Sequence, residues 1–278
     1  MSAVTRADVR ADVRADVRAD VRAGVRADVR PEVRDGVCAV VHVVVGAVGG
    51  VGASTLAALL ARELALAGGR VALVDLDPGA GGIEVLLGIE DVPGARWSDL
   101  LQVRGTVAVE DLDGLLPRWR GVEVLSGDRS GRAPCTEALD AVWDALVRGC
   151  AAVVVDLPGH CLGLPAAVQR LRGAHSEVVL LTGQDVLGVA GALTVRPAFG
   201  DRPVRLVLRR RARARVSPAE AADLLDLPLG ALLPTDGQLA DGVDRGFGPV
   251  TARWSRLGRA VGRLAGGQGP RRARRARG

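Results

Sequence analysis

A stretch without Asp, Glu, Lys or Arg, residues 38–60, constrains the fold of this chain more than any other. It reads CAVVHVVV, then GAVGGVGAST, then LAALL. Residues 40–45 are nearly all β-branched with no polar alternation, which is typical of a central strand in a parallel sheet covered on both faces. Glycines then permit a tight turn, and Ser54 and Thr55 stand where a helix would begin. We therefore predict a strand, a turn and a helix whose first amides join those of the turn in a concave, electropositive nest.

Such a nest at a helix N-terminus is a phosphate-binding structure. The general phosphate loop, G-x-x-x-x-G-K-[ST], requires a lysine that reaches the terminal phosphates. In this chain Ala53 stands at the lysine position and Ala47 at the first glycine, so the strict pattern fails. An ordinary glycine-rich connection between a strand and a helix is the alternative, and the loop alone does not decide between the two.

Aspartates follow two further apolar runs. Residues 70–76 contain Asp75, with Asp77 directly after them, and residues 151–157 contain Asp156. Carboxylates at strand ends beside a phosphate loop are the ligands that Mg²⁺ prefers. Each aspartate alone is explained equally well as a helix cap or a turn residue. Three of them in this order favour a nucleotide site.

These motifs resemble those of a known family. GGVGAST resembles the deviant loop KGGVGK[ST]T of the MinD/ParA P-loop ATPases, with Val48 and Ala53 in place of both family lysines. The D-x-D after the second strand and Asp156, at the Walker B position, also resemble the family pattern. Residues 85–101, VLLGIEDVPGARWSDLL, resemble its septum site-determining, CpaE-like (TadZ-like) branch, in which GxGAST without the lysine is common. The resemblance spans about residues 37–264.

The resemblance implies a doubly wound α/β fold, with a mostly parallel sheet and helices on both faces, that binds ATP and Mg²⁺. The resemblance implies that the nucleotide is bound by the loop and the start of the helix, residues Gly49, Gly50, Val51, Gly52, Ala53, Ser54 and Thr55. The implied magnesium residues are Ser54, Asp77 and Asp156, and the implied catalytic residues, which orient water and metal, are Asp75 and Asp77.

By the same resemblance the chain is a spatial regulator of cell division or of pilus and secretion-system placement. It would form a homodimer, and its partners would be proteins of those systems. Val48 removes the lysine that reaches across the dimer in active relatives. Ala53 removes a charge-assisted hydrogen bond of about 1.5–3 kcal/mol, so we expect weakened ATP binding and slow or absent hydrolysis. A nucleotide-free scaffold of the same fold and a ParA-like protein that binds DNA without sequence specificity remain alternatives.

Composition divides the chain into three segments. Residues 1–36 are dominated by a four-residue repeat, essentially ADVR, and are predicted to be a disordered tail in place of the receiver-like domain usual in the branch. Residues 37–265 form the predicted ATPase-like domain, and residues 266–278 a basic tail. The net charge is +5, and all 37 basic residues are arginine. Contact of the arginine-rich segments with DNA or an anionic membrane is therefore a further expectation.

The last predicted helix carries one apolar face, which comprises Val250, Trp254, Leu257, Val261 and Leu264. Packing of this face on the sheet is favoured over a membrane-surface helix, since such stripes are normal in globular proteins. Residues 37–61 are long enough to span a bilayer, but a glycine-rich turn lies in their middle. We expect a cytoplasmic protein, with peripheral attachment to the inner face of the membrane as the alternative. The four cysteines suggest neither disulfides nor a zinc site.

Periodicity and turn residues predict the remaining elements. The predicted helices are 56–67, 107–119, 134–148 and one that begins at the Ser217–Glu220 capping box. The predicted strands are 122–125, 177–182 and 204–208.

Overall fold

The structure is a computed structural model that describes residues 39–77, 81–101, 103–127, 136–159, 171 and 175–266. The strands are β1 (Val40–Gly46), β2 (Val71–Asp75), β3 (Arg118–Trp119), β4 (Val122–Leu125), β5 (Ala152–Leu157), β6 (His175–Gly183), β7 (Val204–Arg209) and β8 (Leu229–Leu233). The helices are α1 (Ala53–Ala67), α2 (Ile83–Leu87), α3 (Trp97–Leu100), α4 (Thr136–Gly149), α5 (Val186–Val195), α6 (Pro218–Leu225), α7 (Gly237–Asp244) and α8 (Arg256–Gly266). Short 3₁₀ turns lie at Glu110–Leu112 and Arg196–Phe199.

The eight strands form one sheet in the order β3-β4-β2-β5-β1-β6-β7-β8. All neighbouring pairs are parallel except β3 and β4, which pair antiparallel. β1 is central and lies between β5 and β6, as expected for a strand of consecutive β-branched residues buried on both faces. One apolar core lies under α4, α5 and α6, and the other lies under α1, α2 and α8. The doubly wound, mostly parallel α/β fold is thus confirmed.

Most element predictions agree with the structure within a few residues. The helix after the glycine-rich turn begins at Ala53, three residues earlier than expected, because the turn itself provides its first amides. The helix predicted for 134–148 is α4, and position 134 lies outside the described residues. Ser217 caps α6 as predicted: its Oγ accepts from the Glu220 amide at 3.2 Å, and its own amide donates to Glu220 Oε2 at 2.7 Å.

The helix predicted for 107–119 is wrong. The segment contains only a 3₁₀ turn followed by β3. Gly114 has φ +73°, a left-handed conformation that ends a helix, and Pro117 cannot donate a helical hydrogen bond. Leu112 and Leu116 reach the core from this irregular chain, which explains why their spacing resembled a helix.

The C-terminal helix packs against α1 and β8 and buries Leu257, Val261 and Leu264. Packing on the sheet was therefore the better interpretation of its apolar stripe. Two members of the predicted face do not belong to the helix, because α8 begins at Arg256; of these, Trp254 is 80% exposed. In the described part of the chain, no helix combines the length and the apolar character needed to cross a bilayer.

Candidate functional site

The loop between β1 and α1 has the backbone geometry of an open nest. Gly50 and Gly52 have φ of +70° and +100°, values that residues with a side chain rarely adopt. Gly52 is the N-cap of α1 and supplies no side-chain hydrogen bond to the first turn. The first intrahelical bond joins the Leu56 amide to the Gly52 carbonyl at 3.0 Å, which leaves the amides before it without partners inside the helix. These amides are available to an anion.

Two carboxylates stand side by side at the carboxyl edge of the sheet. Asp75 on β2 and Asp156 on β5 are register partners, and β5 is hydrogen-bonded to β1, the strand that leads into the loop. The Leu76 amide donates to the Asp156 carbonyl at 3.0 Å, which fixes the two strand ends relative to each other. Asp77 lies two residues beyond Asp75 and is half-buried. The structure thus brings the three predicted aspartates to the edge where the loop begins.

Asp156 is the carboxylate linked directly to the first turn of α1. Its side chain is 5% exposed and is hydrogen-bonded to the Ser54 hydroxyl. Burial raises the pKa of Asp156 to about 7, the Ser54 hydrogen bond opposes this rise, and the charges of Asp75 and Asp77 add to it. An ionised Asp156 is therefore held in an environment that favours a nearby cation.

Asp75 organises the loop that follows β2. Its Oδ1 accepts from the Asp77 amide at 2.8 Å, and its Oδ2 accepts from the Ile83 amide at 2.7 Å. Burial raises the pKa of Asp75 above its ordinary value, while hydrogen bonds from the amides of Asp77, Ile83 and Gly127 work in the opposite direction. Asp75 is 2% exposed, so its contacts tie together three segments of backbone. Its position fits a positioning role, which the sequence alone did not suggest.

A buried arginine supports this edge of the sheet. Arg96 is 2% exposed, pairs with the carboxylate of Glu84, and donates to the carbonyls of Gly94 at 2.8 Å and Val92 at 3.0 Å. The next residue, Trp97, donates its indole N–H to the Asp75 carbonyl at 2.7 Å. The segment that carries the family resemblance therefore holds the end of β2 in place. The ARW sequence gave no local sign of this contact.

Arg209, the last residue of β7, contacts the loop from outside. Its Nη1 donates to the carbonyl of Val51 at 3.1 Å and to that of Gly50 at 3.5 Å. In the sequence Arg209 begins an arginine-rich run, residues 209–215, and nothing local to this run indicates the contact.

Val48, at the position of the signature family lysine that begins the loop motif, packs on α5. A Cβ on Gly191 of α5 would lie 2.7 Å from both Val48 Cγ1 and the Ala47 carbonyl oxygen, so the helix backbone approaches the loop closely here. One turn earlier on the helix, Val186 and Leu187 are 67% and 78% exposed. Helix α5 therefore carries both the contact with Val48 and two exposed apolar side chains.

Two further titratable side chains, those of His42 and Cys150, are buried outside the candidate site. His42 Nδ1 and Glu177 Oε1 are 2.9 Å apart inside the sheet, and Arg205 Nη2 donates to Glu177 Oε2 at 2.8 Å. The hydrogen bond with Glu177 gives His42 a structural partner. Burial raises the pKa of the Cys150 thiol to about 12, and Cys150 is a buried free cysteine. The other three cysteines and His160 lie outside the described residues.

The residues present fit a nucleotide with magnesium. The described residues contain no group of three or more His, Cys, Asp or Glu side chains arranged to hold a metal by themselves. Magnesium in nucleotide sites ordinarily uses only one or two carboxylates and takes its other ligands from phosphate and water. Ser54 beside Asp156, with the orphaned amides around them, supplies the matching donor set.

A family model described as the CobQ/CobB/MinD/ParA nucleotide binding domain matches residues 42–239. An uncharacterised protein of Mycobacterium tuberculosis strain H37Rv is 39% identical over 212 residues, which are 76% of this chain, and its counterpart in strain CDC 1551 gives the same values. This chain spans 59% of the length of these relatives.

Solved structures show the same fold. A chain of the Aquifex aeolicus MinC:MinD cell division protein complex superimposes with a TM-score of 0.67 at 21% identity, covering 82% of this chain and 93% of that one. A ParA family ATPase from Chlorobium tepidum gives 0.68 at 17% identity, covering 81% and 98%. The septum site-determining protein MinD of Pyrococcus horikoshii, complexed with Mg-ADP, gives 0.63 at 23% identity, covering 82% and 94%. Because the family model matches residues 42–239, the chain belongs to the CobQ/CobB/MinD/ParA nucleotide-binding domain family.

Proposed function

We propose that this protein is a nucleotide-dependent switch that binds ATP with Mg²⁺ and hydrolyses it slowly or not at all. The observation that carries the proposal is the Ser54–Asp156 hydrogen bond beside the orphaned amides of the first turn of α1. A hydroxyl, a buried carboxylate and amides without partners inside the helix lie together there, and this supports a site for phosphate and metal. In this arrangement the nest holds phosphate oxygens, and the carboxylate favours the metal that accompanies them.

Each site residue has a proposed role. The backbone amides of residues 49–53 bind the β- and γ-phosphates, and Thr55 binds the α-phosphate. Ser54 ligates magnesium, which neutralises phosphate charge when bound, and Asp156 and Asp77 support it. Asp75 holds the backbone around Asp77, so that Asp77 is the better placed of the two to orient an attacking water.

Weak turnover follows from the side chains at two loop positions. Ala53 offers no cation to the terminal phosphates, and Val48 packs on α5 instead of extending from the loop. Phosphoryl transfer depends largely on electrostatic stabilisation of the charge in the transition state. Nucleotide therefore acts mainly as a ligand that selects one conformation or oligomeric state.

A homodimer formed through the loop face is part of this proposal. The exposed Val186 and Leu187 lie on α5, the same helix whose Gly191 contacts Val48 of the loop, and this supports an interface beside the phosphate nest. A helix that is apolar on its outer as well as its inner face normally has a partner. A second copy of the chain placed on this surface buries it and encloses the nucleotide.

The cellular role follows the resemblance to the septum site-determining, CpaE-like branch. We expect the switch to position cell-division proteins or pilus and secretion components. Non-specific DNA binding is the second candidate, and the run of exposed arginines at 209–215 favours it. A nucleotide-free scaffold is the outcome left if no nucleotide binds.

The test is equilibrium binding of Mg-ATP and Mg-ADP to the full chain, followed by a phosphate-release assay. We expect micromolar binding, a loss of at least tenfold in Ser54→Ala and Asp156→Asn, and little phosphate release. Asp223→Asn, an exposed position on α6, is the matched control and should bind as the wild type does. Absence of binding up to millimolar nucleotide would contradict the switch and favour the scaffold.

A further inference from the structure

We propose that Arg209 is a positioning residue of the phosphate loop and takes over part of the work of the missing lysines; this rests on the proposed nucleotide binding. The chain contains no lysine, so any side-chain cation at the loop other than a histidine must come from arginine. Arg209 approaches the loop from β7, two strands away from β1 in the sheet. Its Nη1 donates to the carbonyls of Val51 at 3.1 Å and Gly50 at 3.5 Å.

The direction of these two bonds determines where the loop amides point. In a planar trans peptide the C=O and the N–H of the following residue point in opposite directions. The Gly50 and Val51 carbonyls turn outward to the guanidinium, so the amides of Val51 and Gly52 turn to the other side of the loop. In the proposed site, a phosphate bound on that side meets both these amides and the first amides of α1, which lack helical partners.

The guanidinium also strengthens the amides that it orients. A cation hydrogen-bonded to a peptide carbonyl polarises that peptide, and its N–H becomes a better donor through cooperativity. The positive charge further offsets the negative charge of bound phosphate. A lysine inside the loop would meet the phosphates directly, whereas Arg209 acts through the peptides of Val51 and Gly52.

We call the contact of Arg209 with the Gly50 and Val51 carbonyls the loop clamp. The Arg209 guanidinium also lies close to Gly52. A Cβ added to Gly52 would lie 3.6 Å from Arg209 Nη1, and Gly52 has φ +100°. The end of β7 is itself held in place, since the Arg209 carbonyl accepts from the Gln184 amide at 3.3 Å. The arginine therefore joins two elements, a fixed strand end and a turn that must keep an unusual backbone conformation.

The test compares Arg209→Gln, Arg209→Lys and Arg210→Gln in the full chain. Arg210 is the matched control, because it is an adjacent exposed arginine whose side chain makes no hydrogen bond to the loop among the described residues. We expect Arg209→Gln to raise the Kd for Mg-ATP about tenfold. Arg209→Lys should stay within about threefold of the wild type, and Arg210→Gln within about twofold.

A second readout is independent of nucleotide. In the nucleotide-free protein, the amide ¹H–¹⁵N signals of Val51 and Gly52 should shift in Arg209→Gln and largely return in Arg209→Lys. Unchanged signals, or equal losses of affinity in the glutamine and lysine variants, would overturn the charge-based role of Arg209. Failure of the wild type to bind nucleotide would instead overturn the proposed function, while the amide signals would still test the loop clamp.

Discussion

At the scale of single residues, folding stability and the proposed metal binding favour different protonation states of Asp156. Its carboxyl is buried beside Ser54, where an ionised group loses most of its hydration. The folded protein alone therefore prefers the protonated form, whereas a magnesium site needs the carboxylate. Bound cation would remove this conflict, because it stabilises the charge that burial disfavours.

The raised pKa predicts how stability depends on pH. The pKa of Asp156 is about 7 in the folded protein and about 4 in the unfolded chain, so the folded state holds more protons between these values. Stability without nucleotide should therefore fall as the pH rises from 4 to 7, with a contribution on the order of 3 kcal/mol from this residue. Asp75, whose pKa is also raised, acts in the same direction.

Asp156→Asn should remove the Asp156 part of this dependence. Urea unfolding at pH 4.5, 6 and 8 measures it: the variant should match the wild type at the lowest pH and be more stable at the highest. Asp223→Asn should keep the wild-type profile. A variant less stable than the wild type at pH 8 would show that the carboxylate is stabilised by contacts stronger than its burial cost.

Loss of the buried Arg96–Glu84 ion pair should lower the free energy of unfolding by a large amount. Arg96→Met leaves the buried Glu84 carboxylate without its cation, a change that typically costs about 3–5 kcal/mol. Urea unfolding at pH 7 measures this cost. The exposed pair Arg104–Glu137 is the control, and Arg104→Met should cost less than about 1 kcal/mol. Similar costs for the two variants would contradict the supporting role of Arg96.

At the scale of elements, α5 carries the clearest prediction for assembly. Leu187→Glu places a charge on the exposed apolar surface of α5, so it should prevent ATP-dependent dimerisation. Leu224→Glu on α6 is matched in chemistry and in exposure at 60%, and it should leave the dimer intact. Sedimentation velocity with and without Mg-ATP measures both variants. Dimers of the Leu187 variant would exclude this surface from the interface.

Strands were predictable from sequence because their signal is local. β1, β2 and β5 are continuous apolar runs that only a doubly covered parallel sheet can bury, so composition over six or seven residues suffices. The helix prediction for 107–119 was wrong because the buried leucines of this segment have helical spacing, although they reach the core from an irregular chain. The conformation of Gly114 and the break at Pro117 decided the outcome.

The site was predictable only in part for the same reason. The aspartates follow apolar strands, and parallel strands bring their carboxyl ends to one edge, so the clustering of Asp75, Asp77 and Asp156 followed from order alone. The Arg209 contact depends on β7 lying two strands from β1 and on the reach of one side chain. Of the three amides that meet Asp75, that of Gly127 comes from a segment far away in sequence. Such contacts have no local signature.

At the scale of the whole molecule, the net charge of +5 raises the question of an anionic partner. Two arginine-rich segments contribute, one at 209–215 and the other in the basic tail, residues 266–278. Two arginines of the segment 209–215 already make contacts within the protein. Arg209 contacts the loop, and Arg211 Nε lies 2.7 Å from Asp185 Oδ2. Arg210, Arg213 and Arg215 are the exposed members left to meet phosphate.

The combined variant Arg210→Gln, Arg213→Gln and Arg215→Gln therefore tests DNA binding without touching the loop clamp or the Asp185 pair. Each lost phosphate contact lowers the slope of log K against log salt by about 0.9 for duplex DNA, so the slope should fall by roughly two to three. Titration of a random duplex at several salt concentrations measures it, with deletion of 267–278 as the comparison. A slope lost only on deletion would assign the contact to the tail. Wild-type binding that does not depend on salt would contradict DNA as the partner and leave the basic charge to another anionic surface.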